Sequence, residues 1–351
     1  MGMAFDKTHN EIVVFGGAAT AFPTLQDTWV YDVTGTNSGK WTLKPKSGQW
    51  PCSRHSTRMV WDEVNFRIVM FGGNAGTDCT GAVGGVLADT WVWDGSTWAP
   101  KCTGCTPGLD EPSERASEAL SWDGNTNHNY VVLFGGTGNC SPSPCGDTWS
   151  WDGSAWTQRC LLNPACTTSG NTEPSARSAS AMAYSIARNE VILHGGTVSG
   201  GGIVDGTWEW ADPSDADHWL GLTGINSPPA RTVARMAYDE SSSKLVMFGG
   251  CTSSCTQLGG DLVTPTVNDT WILPATGNWT QMTSLPVGLT ARCCVGMAYA
   301  TSSPFSSLGN TPGIFMFGGE QTGGGKLGDM WFWYWNGAAN WCQVKSATNC
   351  S

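Results

Sequence analysis

Two stretches, RIVMFGG (67–73) and DTWVWDGSTW (89–98), are separated by residues 74–88. The first is apolar at successive positions and stops at a double glycine, the pattern of a short strand covered on both faces. The second alternates large indoles with small or polar residues, and its Asp-Gly at 94–95 reads as a two-residue hairpin signal. DTWSWDGSAW returns at 147–156. A tryptophan cluster that recurs belongs to the way a chain is built, so the sequence is read first for repeats.

The apolar run ending in a double glycine occurs six times: EIVVFGG (11–17), RIVMFGG (67–73), VVLFGG (131–136), EVILHGG (190–196), KLVMFGG (244–250) and GIFMFGG (313–319). An acid-and-tryptophan signature follows each. It reads DTW from Asp27, Asp89, Asp147 and Asp269, DGTW at 205–208 and DMW at 329–331. Trp41, Trp98, Trp156, Trp219, Trp279 and Trp341 close the six copies, and Arg54, Arg115, Arg177, Arg231 and Arg292 open five of them. Each unit reads as four short strands, the arginine starting the first. Four-stranded units that bury both faces must stack on one another, and radial stacking gives a β-propeller. The tryptophans fill the wedge between neighbouring sheets, and the glycines permit positive φ or close backbone approach. The recurring aspartate is expected to cap its turn by accepting backbone N–H groups.

This arrangement of FGG, DTWVWD and a closing tryptophan resembles the kelch family of six-bladed propellers over essentially the whole chain. The resemblance implies one all-β domain, 1–351, with blades near 1–50, 51–111, 112–173, 174–227, 228–287 and 288–351. In the first copy the arginine falls ahead of residue 1, and no strand after Trp341 offers to complete blade one. Ring closure is therefore expected to rest on packing between the first and last blades, or on residues absent from this numbering. Kelch propellers include enzymes, lectin-like binders and protein-interaction modules, so the fold leaves function open.

Composition narrows it. The formal net charge of −11 opposes a phosphate backbone, which argues against nucleic acid. No run of about 18 apolar residues is present to span a bilayer. The fourteen cysteines include five close pairs, Cys102/Cys105, Cys140/Cys145, Cys160/Cys166, Cys251/Cys255 and Cys342/Cys350. These are expected to be disulfides in an oxidising, extracellular setting. MGMAFD opens at once on strand-like sequence, so secretion rests on the cysteines alone. Only one C-x-x-C is present and the five histidines are scattered, so no metal and no cofactor are expected. No phosphate loop or nucleophile elbow is found.

In a propeller of this kind the loops after the double glycines and the links between blades share one face. All fourteen cysteines are expected there, which makes that loop face the candidate binding surface. Arg54, Arg115, Arg177, Arg231 and Arg292 are expected to ring the channel mouth, either as an anion receptor or bonded to a neighbouring blade's carbonyls or acid. Arg58 and Arg235 break the repeat, other copies having alanine or glycine there. Glu118 is the one carboxylate three residues after an opening arginine. It is expected to point into the channel as a general acid or base, or as a solvated partner of Arg58 or Arg235. His55 lies beside Arg54 near the mouth. Adjacent Cys293 and Cys294 form a vicinal disulfide there, or pair elsewhere with Cys52 or Cys79. The leading reading is a secreted module that binds a glycan or protein surface. The alternatives are a lyase- or epimerase-like enzyme on a carbohydrate or small acid, with Glu118, Arg58, Arg235 and His55 as candidates, and a self-associating structural protein.

Overall fold

Each apolar run that ends in a double glycine is the second strand of a four-stranded antiparallel sheet, with six such sheets in a ring. The structure, a computed structural model, describes residues 1–19, 24–34, 38–79, 85–101, 104–125, 127–160, 173–211, 218–253, 255, 257–258, 261–262, 264–346 and 349–350. The inner strands are Gly2–Asp6, Arg58–Asp62, Ala119–Asp123, Ala181–Ser185, Arg235–Asp239 and Gly296–Ala300, in blades 1 to 6. Each contacts the inner strands of both neighbouring blades, blade 6 with blade 1 included. The second strands carry the least exposed residues of the molecule, Ile68, Val69, Met70 and Phe71 among them, because a blade lies against each of their faces.

The arginine does not begin the inner strand as the sequence suggests. Arg54–His55, Arg115–Ala116 and Arg177–Ser178 are separate two-residue strands paired with the loop after the double glycine. A left-handed residue divides them from the inner strand: Ser56, Ser117, Ala179, Val233 and Cys294 have φ between 52° and 64°. The kink turns each arginine back into its own blade.

There the letters of the DTW motif separate into distinct tasks. In blade 3, Arg115 donates from Nη1 and Nη2 to the two carboxylate oxygens of Asp147 at 2.6 and 2.9 Å, and from Nη1 to the carbonyl of Gly135 at 3.1 Å. Asp147 also accepts the indole N–H of Trp149 at 2.6 Å. Arg54 with Asp89, Arg231 with Asp269 and Arg292 with Asp329 repeat the bidentate fork. The aspartate is thus the acceptor for a buried guanidinium, where a backbone turn cap was expected. The threonine faces outward to the next blade. Trp98, Trp156, Trp219, Trp279 and Trp341 donate their indole N–H to Thr28, Thr90, Thr148, Thr207 and Thr270 of the preceding blade, at 2.8 to 3.2 Å. The glycine before this junction is obligatory. A Cβ on Gly72, where φ is +53°, would stand 2.5 Å from the carbonyl oxygen of Arg115 in the following blade.

Two junctions depart from the rule. In blade 4 the inserted Gly206 displaces Asp205, so Arg177 meets the Gly195 carbonyl and Ser175 and no carboxylate among the described residues, and the Trp208 indole N–H is left without an acceptor. Between blades 6 and 1 the threonine position is Met330. Trp41 instead packs its ring on Phe317 at 5.1 Å, and Tyr31 on Phe315 at 5.7 Å. Closure is by apolar packing, as expected, and buried Phe305 from the 301–312 insertion joins it.

Asp94 and Asp152 sit at the head of four-residue turns, Trp93 pairing with Trp98 and Trp151 with Trp156. Each carboxylate accepts the N–H groups two and three residues on, which lengthens the two-residue hairpin read from Asp-Gly. Of the expected disulfides, Cys140–Cys145, Cys251–Cys255 and Cys342–Cys350 are formed, and Cys52 pairs with Cys79. Cys105 is disulfide-bonded, while Cys102, Cys166 and the Cys160 side chain lie outside the described residues. One bridge is not on the loop face. Cys350 belongs to a short strand, Asn349–Cys350, folded back along the outer strand of blade 6, so its bond to Cys342 lies on the flank beside Phe305.

Replacing Arg115 by methionine strands a mostly buried carboxylate and is expected to cost about 3 kcal/mol in urea unfolding. Arg177→Met removes a buried cation that has no carboxylate, and is expected to be neutral or stabilising. Equal losses in the two variants would refute the fork as the junction's main polar tie.

Candidate ligand site in the axial channel

The inner strands line the central channel in three layers. Toward the loop face stand Gly2, Arg58, Ala119, Ala181, Arg235 and Gly296. Next comes a collar of Met3, Met59, Leu120, Met182, Met236 and Met297. Toward the opposite face the fourth residue of every inner strand is aromatic: Phe5, Trp61, Trp122, Tyr184, Tyr238 and Tyr299. The collar narrows the channel into two mouths, a loop-face cavity of about 590 Å³ and an aromatic bowl of about 510 Å³. Lys7 reaches across the bowl to Glu63 of blade 2 and, at 3.5 Å, to Glu240 of blade 5. The collar and bowl were not singled out from the sequence. Their signal is the Met- or Leu-x-aromatic that recurs in each inner strand, which reads equally well as ordinary core.

Arg58 and Arg235 belong to blades on opposite sides of the ring, and both line the loop-face cavity. They fit there because the other four positions of the layer are glycine or alanine. Arg58 makes no hydrogen bond or ion pair among the described residues, and Arg235 makes one bond, Nη1 to the carbonyl of Ala234 at 3.2 Å. Burial and the charge of Arg58 draw the Arg235 guanidinium down to about 9, and burial lowers Arg58 as well. Two half-buried cations with no ion-pair partner among the described residues form a site that an anion would relieve. His55 lines the same cavity, its Nδ1 3.0 Å from the Ser56 hydroxyl, and burial lowers its pKa so that it is neutral at pH 7.

The five repeating arginines are elsewhere. Arg54, Arg115, Arg177, Arg231 and Arg292 are at most 4% exposed and line neither mouth, because the left-handed kink directs them into their blades. A ring of anion-receiving arginines at the mouth is therefore reduced to Arg58 and Arg235. Glu118 also differs from expectation. Its position faces the blade's own second strand: Thr57 and Ser180, its counterparts, donate their hydroxyls to the carbonyls of Phe71 and Gly195 at 2.7 and 3.0 Å. The Glu118 carboxyl is fully buried in that wall, both oxygens lack a hydrogen-bond partner, and no cation stands within ion-pair distance among the described residues. Burial raises it to about 7, against the opposing charge of Arg58. A protonated carboxyl there has a proton to donate to the wall, as its hydroxyl counterparts do. Glu118 is thus neither a solvated partner of the channel arginines nor a group lining the cavity.

The geometry defines a class: a six-bladed propeller whose channel opens at one end into a cavity lined by two arginines. Residues 2–209 match the KLHDC2/KLHL20/DRC7 Kelch-repeats domain, and the chain belongs to the kelch-repeat family. Among solved structures the fold is similar to one described as "Structure of YjhT", with a TM-score of 0.65 and 14% identity over 97% of this chain and 96% of that one. No curated protein matches the sequence. No helix is long and apolar enough to cross a membrane.

Because the folded-state pKa of Glu118 lies above its value of 4.5 in the unfolded chain, its effect on stability runs one way. Wild type and Glu118→Gln are expected to be equally stable below pH 4.5, and the wild type to lose ground as pH rises through 7, by about 3 kcal/mol at pH 8. Urea unfolding at pH 4.5 and pH 8 checks this; a gap independent of pH argues against a buried carboxyl.

Proposed function

We propose that this protein is a binding module that takes a carboxylate-bearing group, from an acidic glycan or an acidic protein segment, in the loop-face cavity between Arg58 and Arg235. The observation that carries this reading is the pair of guanidinium groups, which together make one hydrogen bond among the described residues, Arg235 to the Ala234 carbonyl, in a layer otherwise built of glycine and alanine. At four of the five repeating arginines the buried guanidinium is met by an aspartate; Arg58 and Arg235 have no such carboxylate among the described residues. A ligand carboxylate completes the fork that Asp147 completes for Arg115. Neutral His55 and the indole and phenyl surfaces of Trp29, Trp41 and Phe317 offer the same ligand hydrogen-bonding and apolar contact. The disulfides at Cys52–Cys79, Cys140–Cys145 and Cys251–Cys255 hold the surrounding loops and suit an oxidising compartment, which supports secretion.

Calorimetry with glucuronate, glucose and a short glutamate-rich peptide tests the reading and separates the two partner classes. Glucuronate or the peptide is expected to bind, glucose not, and affinity to fall as salt is raised. Arg58→Ala and Arg235→Ala should each weaken binding roughly 10- to 100-fold, the value of a charge-assisted hydrogen bond. Equal affinity for glucose and glucuronate, or insensitivity to both substitutions, removes the proposal. Turnover of a uronate that survives in Glu118→Gln would place chemistry on other residues.

A further inference from the structure

Four sulfurs converge at the blade 5–blade 6 side of the loop-face mouth. Cys251 and Cys255 are joined, and the Cys293 Sγ lies within 4.8 Å of both. Cys293 and Cys294 carry free thiols whose sulfurs are 2.7 Å apart. Adjacent residues of an extended chain point to opposite sides, so this approach needs a bend. The left-handed φ of 64° at Cys294 supplies it, at the same position where every other described copy kinks. The two thiols are not equivalent. Cys293 is 1% exposed, whereas Cys294 is half-buried and lines the cavity with Arg235. The contact with the Cys293 sulfur and the Arg235 charge draw Cys294 down to about 7 against burial. Cys294 is therefore a nucleophile at neutral pH, and its buried neighbour is placed to resolve it.

We propose that Cys293 and Cys294 form a reversible vicinal disulfide in the wall of the loop-face cavity, and that its oxidation state sets the affinity of that cavity for an anion. The first half stands on the sulfur geometry; the second rests on the anion-site reading above. With a small disulfide such as oxidised glutathione, the Cys294 thiolate attacks one sulfur and expels one glutathione thiolate. The Cys293 sulfur, giving up its proton, then attacks the Cys294 sulfur and expels the second. Two cysteines are oxidised and one glutathione disulfide is reduced to two thiols. In the reduced form the Cys294 thiolate occupies the field of Arg235 and competes with an anionic ligand. In the disulfide that negative charge is gone, so oxidation tightens binding.

Peptide mapping after differential alkylation, on wild type treated with oxidised glutathione and then with a reducing agent, reads the first half. The expected result is a 293–294 bond that appears and disappears with Cys251–Cys255 intact. Thiols that stay alkylatable, a persistent glutathione adduct on Cys294, or a cross-link from Cys293 to Cys251 or Cys255 each overturn it. Calorimetry with glucuronate at pH 8 reads the second half. The oxidised form is expected to bind roughly threefold to tenfold more tightly than the reduced form. Cys294→Ser, which lacks the thiolate and cannot form the bond, should bind like the oxidised form and ignore redox treatment. A formed bond with unchanged affinity overturns the coupling alone. Glucuronate binding in neither state, with the bond present in the map, overturns the anion site and the coupling while leaving the disulfide standing.

Discussion

A guanidinium buried at most of the blade junctions is the constraint on which this propeller depends. An arginine taken out of water must find acceptors for most of its five N–H donors, and it finds them in its own aspartate, the carbonyl of its own first glycine and the carbonyl two residues before it. Its main chain does the second task, passing beneath the double glycine of the preceding blade, where the N–H of Gly136 donates to the Arg177 carbonyl and that of Gly196 to Arg231. The same side chain thus fixes one blade internally while its backbone docks that blade on the last. The indole-to-threonine bonds add a second tie farther out along the radius. Because both ties are directional, they set the angle between blades as well as the contact.

The frame's regularity is what makes its exceptions informative. Where Gly206 shifts Asp205 out of register, a guanidinium and an indole N–H lose their partner together, which shows that the aspartate served both. Where Met330 replaces threonine, the closing tryptophan exchanges a hydrogen bond for aromatic packing. In the channel the exceptions are Arg58 and Arg235, placed where the frame otherwise leaves room by using glycine and alanine. Glu118 replaces a hydroxyl in the wall. These substitutions serve none of the ties between blades, so they alter the character of the channel without altering the ring.

The two channel mouths follow from the direction of the chain. Every inner strand enters from the loop face with a small or cationic residue and leaves with an aromatic one, so a single strand direction places two arginines at one end of the channel and an aromatic bowl at the other. The bowl is crossed by Lys7 between carboxylates of opposing blades; at the loop face Lys326 is paired with Glu320, while Arg58 and Arg235 have no ion-pair partner among the described residues. Electrostatics therefore distinguishes two openings of similar volume. Loops and bridges reinforce the difference, although Cys342–Cys350 stands apart on the flank because it secures the chain's last strand to blade 6.

Repetition made the architecture readable from residues alone: six in-phase copies of an apolar run, a double glycine and a closing indole require stacked four-stranded sheets in any ring that buries them. The same reading identified Arg58 and Arg235 as departures and paired six of the cysteines correctly, since local spacing bounds which sulfurs can meet. It misplaced the repeating arginines, the aspartates and Glu118, because periodicity fixes the strand to which a side chain belongs but not the direction a kinked backbone gives it. Only the three-dimensional arrangement determined that the left-handed residue after each arginine turns a guanidinium inward to an aspartate some 35 residues away in sequence, and that two arginines of opposite blades share one cavity with no carboxylate at ion-pair distance among the described residues.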